Sequence, residues 1–306
     1  MKNKIEVVSD KVPEFLYPFY LAKIFKEHTG NNLNLIFPRT LSEKIQWLKL
    51  YDAIPEKTMW SDKLKARELF AEKIEGGEKY LKPLIKVWKN FDEINFEELP
   101  DSFILKSNNG SGFNSFIMNK SLLLKNTNQL KKLKMRTEYF QSVRYHLKSL
   151  ELQYRNIESL IFAEELIGET YAEPIADWEI YCFNGEPKFI TTLPKYKLGK
   201  NGCYRNEKSY VYNENYEKLD FSISVDTDDD EIEKPIYFEK MFEYARILSK
   251  DFKFVRVDFV ENKGKLYFGE LTFTPCSGFF RFNGLKGNNP QAKKIDLRLG
   301  KLLKIR

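Results

Sequence analysis

The chain has 306 residues, 42% apolar and 31% charged, a balance that excludes a mainly disordered polypeptide and allows one large domain or two to three small ones. Its 50 Lys and Arg against 44 Asp and Glu leave a formal charge of +6, which suits phosphates or acidic glycans without demanding nucleic acid. Three scattered cysteines (Cys182, Cys203, Cys276) and two histidines (His28, His146) argue against a disulfide scaffold, a structural zinc site, a c-type haem and a Ser-His-Asp hydrolase.

The opening residues MKNKIEVVSD carry basic charge with no apolar run behind it, and no stretch has the length of a transmembrane segment, so a cytoplasmic protein is expected. The apolar run from Phe15 to Phe25 is broken by Pro18 and Lys23, and its rings at helical spacing read as core. Residues 1–78 read as a mainly helical region. Ser42 is the expected cap of a helix over IQWLKLY with Ile45 and Leu48 buried; a second helix is expected from Ser61 or Asp62 to the Gly76–Gly77 pair. Short apolar runs with turn residues follow from about 80 to 120, then a Lys- and Leu-rich helical stretch over 121–160. Beyond 160, LIFAEELI, DWEIYCF, EPKFITTL, FKFVRVDFV and KLYFGELTFT read as strands, with one helix near 236–250. Helices with antiparallel hairpins predict an α+β fold.

Three segments carry chemistry. In FILKSNNGSG (103–112), Lys106 ends a strand beside a loop whose Gly110 and Gly112 let backbone amides approach a phosphate. The Gly-Lys-Ser/Thr ending of a Walker A loop is missing, and a plain Asn/Gly hairpin turn explains the composition equally well. In DWEIYCFNGEPKFI, Asn184–Gly185 predicts a two-residue hairpin with Tyr181 facing Lys188, so that Asp177, Glu179 and Lys188 share a surface. That patch is either an exposed salt-bridge cluster or the wall of a nucleotide site. In FVRVDFVENKGKLYFGELTFTPCSGF (254–279), alternation puts Arg256 and Asp258 on one face and Val255, Val257 and Phe259 on the other. Glu270 and Thr272 share a face of the partner strand. Asp258 and Glu270 then become neighbours across the ladder, and adjacent carboxylates call for a cation. Oxygen donors without His or Cys favour Mg²⁺.

The order of these segments, with AEELI (163–167) between the first and second, resembles the ATP-grasp superfamily, and RVDF…GELTFTP is similar to the metal-binding end of D-alanine–D-alanine ligases. LSEKIQWLKLYD, DKLKARE, FILKSNNGSG, FNGEPKFI and FVRVDF…LYFGELTFTP together resemble the TupA-like ATP-grasp family, associated with teichuronopeptide and other surface-polysaccharide biosynthesis, over residues 38–306. The resemblance implies two α+β subdomains clasping ATP (79–166 with the Gly-rich loop, 167–306 with the metal site) behind the helical region 1–78. Lys106 and the segment Asn109, Gly110, Ser111 and Gly112 would hold the phosphates. Backbone groups of Glu165, Leu166 and Ile167 would hold adenine, Asp177 would take the ribose, Glu164 and Lys188 would line the nucleotide site, and Asp258, Glu270 and Thr272 would ligate Mg²⁺. Arg256, with Lys106, would be catalytic. Thr272 stands where Asn is common, and Cys276 where Gly is; the thiol is expected to be buried and structural. The implied reaction is ATP-dependent joining of a carboxylate, such as a uronic acid of a glycan precursor, to an amine through an acylphosphate. Other polysaccharide-biosynthesis enzymes are the expected partners. A glycosyltransferase or a non-catalytic nucleotide-binding partner is the alternative.

Overall fold

The computed structural model describes residues 11–167, 176–192, 196–198, 204–206 and 208–306; the readings of MKNKIEVVSD and Cys203 lie outside them. Helix α1 (Tyr17–Thr29) ends at Gly30, whose φ of 76° lets its amide return to the Lys26 carbonyl. Helix α2 (Leu41–Tyr51) starts earlier than expected. Its cap is Thr40, whose side chain accepts from the Glu43 amide at 3.1 Å while the Glu43 carboxylate accepts from the Thr40 amide at 3.0 Å. Ser42 lies inside the first turn, buried, with its amide donating to Asp296. A short α3 (Pro55–Ser61) precedes α4 (Lys63–Lys73), which Asp62 caps.

Four antiparallel strands, β1 (Leu84–Trp88), β2 (Phe103–Ser107), β3 (Asn114–Ile117) and β4 (Ile161–Glu164), form a sheet in the order β1-β4-β2-β3. Helices α5 (Lys120–Lys125) and α6 (Thr127–Ser142) lie between β3 and β4. The helix expected up to 160 stops at Ser142. Ser149 and Leu150 adopt positive φ, and Leu147 and Leu150 leave the helical pattern to pack against Tyr17, Leu21 and Ile24 of α1.

The second sheet contains β5 (Ala176–Phe183), β6 (Glu186–Thr192), β9 (Tyr210–Asn213), β10 (Phe254–Asn262) and β11 (Lys265–Thr272), in the order β11-β10-β5-β6-β9; β7 (Tyr196–Leu198) and β8 (Tyr204–Asn206) form a separate ribbon. Asn184–Gly185 is the expected tight turn, both residues at positive φ. One face of this sheet, with Val255, Val257, Phe259 and Phe268, packs on Phe70 of α4 and on Met241 and Ala245 of α7 (Phe238–Ser249). On the opposite face, Tyr181, Phe183 and Phe254 pack under Leu41, Ile45 and Leu48 of α2 and Ile295 and Leu299 of α8 (Pro290–Gly300). Helices α2 and α4 therefore share the large sheet's cores. The rest of that second face is polar and looks into a cleft. Among the described residues no helix is long and apolar enough to cross a membrane.

Asp296 joins α8 to α2 by accepting from the Ser42 amide at 2.9 Å. Burial pushes its carboxyl up to about 6, against 3.8 in the free side chain, with the Ser42 hydrogen bond pulling the other way. A raised folded value disfavours the charged form, so this group's contribution is most favourable below about pH 4 and declines until about pH 6. Asp296→Asn keeps the acceptor without the charge. Urea denaturation should find the variant as stable as the parent, or more so, at pH 7, with a flatter profile between pH 4 and 6; a loss of more than about 1 kcal/mol at pH 7 contradicts the assignment.

Candidate active site

The cleft is organised by parity in β10. Val255, Val257 and Phe259 face the core, so Arg256 and Asp258 face out. On β11 and the residue after it, Leu266 and Phe268 are buried and so are Leu271 and Phe273, which strict alternation does not allow. A bulge reconciles them: Val257 pairs with Leu271 and Phe259 with Phe268, leaving Gly269 and Glu270 opposite Asp258. The bulge turns Glu270 and Thr272 to the Arg256 side. A Cβ on Gly269 would stand 2.8 Å from the Asp258 carbonyl oxygen, so the backbones approach this closely only with glycine.

Arg256 is the hub. Its Nε and Nη2 donate to Oδ1 and Oδ2 of Asp258 at 2.7 and 2.6 Å, and its Nη1 lies 3.0 Å from Oε1 of Glu179 on β5. Thr191 Oγ1 donates to the other Glu179 oxygen at 2.9 Å. Thr272 Oγ1 lies 3.4 Å from a carboxylate oxygen of both Asp258 and Glu270. Burial works against the Arg256 charge, but Asp258 and Glu179 outweigh it and hold the guanidinium protonated. Burial also pushes the Asp258 carboxyl upward while Arg256 opposes it. Burial acts the same way on Glu270, yet Lys63 and Arg256 prevail and keep that carboxyl below its usual range.

The facing wall comes from α4 and the small sheet. Glu164 on β4 is buried, and it pairs with Lys106 Nζ at 2.6 Å and Arg67 Nη1 at 2.8 Å. Burial would raise this carboxyl, but Lys106, Lys82 and Arg67 hold it low. Lys63 bridges the walls, 3.4 Å from Glu270 and donating to the Gly110 carbonyl. The loop after β2 is pinned to the same helix end: Asn108 donates from its side chain to Asp62, and its carbonyl accepts from the Lys63 amide. Half-buried Lys82 also lines the cleft, and burial lowers its ammonium to about 8. No carboxylate of the described residues lies within salt-bridge distance of it. These walls, with the rings of Phe162 and Phe268, enclose about 260 Å³.

Of the residues singled out by sequence, Lys106, Gly110, Ser111, Gly112, Glu164, Asp177, Arg256, Asp258 and Glu270 line this cavity, with Thr272 behind the two carboxylates. Gly110 has φ 75°, and a Cβ there would meet the Tyr145 ring at 2.5 Å. Asn109 instead turns away, its side chain donating to the Ile157 carbonyl. Glu165, Leu166 and Ile167 line a neighbouring hollow of about 840 Å³ with Tyr237 and Tyr267. Lys188 does not reach the cleft. A bulge pairs Tyr181 with Phe189 and Cys182 with Pro187, so Lys188 has no partner across the ladder and is exposed. Cys276 is likewise exposed, not buried, with Sγ 3.1 Å from Ser224 Oγ; it is Cys182 that is buried, its thiol pushed up to about 12.

Three cations, Lys63, Arg67 and Lys82, carry no site role in the sequence reading. The i,i+4 spacing of Lys63 and Arg67 within DKLKARE was their available signal. The loop after β11 is also held by residues for which no role was expected, among them Gln46 and Lys49 of LSEKIQWLKLYD. Cys276 and Ser277 both have positive φ, at 52° and 51°. Lys49, 1% exposed, donates to the carbonyls of Ser277 (2.6 Å) and Ser149 (2.9 Å); Gln46 donates to those of Ser277 and Gly278. Buried Glu151 accepts from the hydroxyls of Ser277, at 2.6 Å, and Thr274.

What the arrangement can do follows from its donors. Asp258, Glu270 and Thr272 offer only oxygen, as Mg²⁺ prefers. Among the described residues no group of three or more His, Cys, Asp or Glu could hold a metal, so an ion here would take the rest of its shell from water or a phosphate.

The sequence matches the family model TupA-like ATPgrasp over residues 43–304. No curated protein matches it. Solved structures similar to the chain include a D-alanine–D-alanine ligase from Bacillus anthracis (14% identity, TM-score 0.38, covering 79% of this chain and 69% of that one) and an L-amino acid ligase from Bacillus licheniformis (12%, 0.45, 86% and 55%). A D-alanine–D-alanine ligase from Helicobacter pylori is similar too (15%, 0.37, 86% and 69%). The chain spans 55% to 69% of the length of these three. With the family model covering all but the first 42 residues and the last two, the chain belongs to the TupA-like ATPgrasp family and has the ATP-grasp fold.

Proposed function

We propose that the protein is an ATP-dependent carboxylate–amine ligase acting through an acylphosphate. Its carboxylate is a uronic acid or related glycan precursor of surface-polysaccharide biosynthesis, and its acceptor is an amino acid or another amine. The observation that carries this reading is the charge inventory of the cleft. Lys63, Arg67, Lys82, Lys106 and Arg256 face Glu164, Asp177, Glu179, Asp258 and Glu270 in one small space. Five cations against five carboxylates leave the walls close to neutral, so a polyphosphate needs a cation to enter with it. Asp258, Glu270 and Thr272 would hold Mg²⁺, which when bound neutralises charge on the transferring phosphoryl group.

The residues of residues 79–166 and 167–306 act as the two halves of the clasp. Lys106 and the backbone of Gly110 to Gly112 hold the phosphates, and Asp177 takes the ribose. The segment Glu165 to Ile167 holds adenine. A substrate carboxylate oxygen attacks the γ-phosphorus as the bond to ADP breaks; the amine then attacks the carbonyl carbon, phosphate leaves, and the nitrogen loses its proton. Arg256 stabilises charge on the oxygens in both steps, and Glu179 and Asp258 aim its guanidinium. The acidic substrate suits the chain's basic excess.

The test is substrate-dependent ADP release over a panel of uronic acids and amines, with hydroxylamine present to trap the acylphosphate as a hydroxamate. Steady ADP release yielding neither hydroxamate nor amide would sink the ligase mechanism. Two substitutions divide the roles. Lys106→Ala should weaken ATP binding by roughly 1.5–3 kcal/mol in calorimetry, the scale of a hydrogen bond to a charged group. Arg256→Met should lower turnover about 10²–10³-fold with little change in ATP affinity, because its partner charge develops during transfer. Equal losses in binding and turnover would make Arg256 a ground-state ligand.

Lys82 provides a pH test. Its ammonium, lowered to about 8 by burial, is lost as pH rises through that value, and a polyphosphate binds the protonated form. ATP affinity should therefore decline between about pH 7 and pH 9, and Lys82→Met should bind more weakly with that decline removed. An unchanged profile in the variant takes Lys82 out of the phosphate site.

A further inference from the structure

Away from the cleft, the turn before α2 meets the segment after α8. Asn34 Oδ1 accepts from the amides of Ile36 (3.1 Å) and Phe37 (2.9 Å), which fixes the turn, and both side chains point to solvent at 69% and 70% exposure. Arg306 Nη2 donates to the Ile36 carbonyl at 3.2 Å, and Lys44 Nζ to the carbonyls of Gly300 and Leu303, both at 2.6 Å, so the two segments are stitched together. Between them lies a hollow of about 360 Å³. Its charged lining residues are Arg39, Lys44, Lys301, Lys304 and Arg306, with no Asp or Glu among the described residues that line it. The acid next to it, Glu43, spends its carboxylate on the amides of Arg39 and Thr40.

Two large apolar side chains held out at a fixed turn and ringed by cations present two unsatisfied demands at once. The cations seek phosphates or carboxylates, and Ile36 and Phe37 seek an apolar phase. A soluble polyanion answers only the first. We propose that this face docks on membranes rich in anionic lipid, with Ile36 and Phe37 entering the headgroup layer and Arg39, Lys301, Lys304 and Arg306 pairing with lipid phosphates around them. The docking is peripheral and reversible, since one short turn buries little apolar area and the ionic component is screened by salt. It does not depend on the ligase reading.

The experiment is co-sedimentation of the full chain with vesicles of phosphatidylcholine, with and without phosphatidylglycerol. Binding is expected only to the anionic vesicles and should weaken as salt rises. The pair Ile36→Ser with Phe37→Ser, and separately Lys301→Glu with Lys304→Glu, should each lower the apparent affinity at least about tenfold. Circular dichroism and thermal unfolding report that both variants remain folded; exposed positions make that outcome expected, and Phe37→Ser alone serves if a double variant fails to fold. No binding to anionic vesicles, or binding by both variants at the parent's level, overturns the proposal. So does binding that heparin competes away while the Ile36/Phe37 variant binds as the parent does, which assigns the face to soluble polyanions.

Discussion

A single guanidinium among three carboxylates sets the design of the cleft. Arg256 can keep its charge away from bulk water only because Asp258 grips it with both oxygens and Glu179 with a third. Those contacts require Arg256 and Asp258 to share a face of a central strand and Glu179 to lie opposite Asp258 on the next one, which the β10–β5 register provides. Glu270 adds a further negative charge, and Lys63 from α4 answers it. The helical N-terminal quarter is thus part of the electrostatics of the large sheet as well as of its core.

The same logic runs through the other wall with the signs exchanged. There one buried carboxylate, Glu164, serves two cations, Lys106 and Arg67. Removing Glu164 would leave Lys106 and Arg67 without their shared carboxylate in a poorly solvated place. Each wall is therefore a rigid unit whose members have their rotamers fixed by one another, the condition under which charges can act on a ligand without first reorganising.

Much of this was legible in the sequence because it rests on period-two alternation and turn chemistry. The faces of β10, the Asn184–Gly185 turn and the strand that carries Lys106, which runs one residue further to Ser107, all follow from local rules. What was not legible depends on backbone irregularity or on distance along the chain. The bulge at Gly269–Glu270 and the one that leaves Lys188 unpaired each change parity by one residue; the apolar pattern breaks step only at the first, between Phe268 and Leu271 around Gly269. Ser42 looks like a cap until Asp296, 254 residues away, claims its amide. Helical composition continues past Ser142, but burial of Leu147 and Leu150 against α1 overrides it. Lys82 has no local signature at all; only the closure of the two walls reveals it.

The support of the loop after β11 has a consequence for how the molecule is made. Lys49 reaches across 100 residues to Ser149 and 228 to Ser277, and Glu151 reaches across 126 to Ser277. The hairpins β2–β3, β5–β6 and β10–β11 close short loops, the pairings β1–β4, β2–β4 and β5–β10 wait for distant strands, and this junction spans longer separations still. A newly synthesised chain therefore closes its hairpins before this junction. Until the stretch around 277 has emerged, Lys49 and Glu151 lack the Ser277 groups that they hold in the finished core.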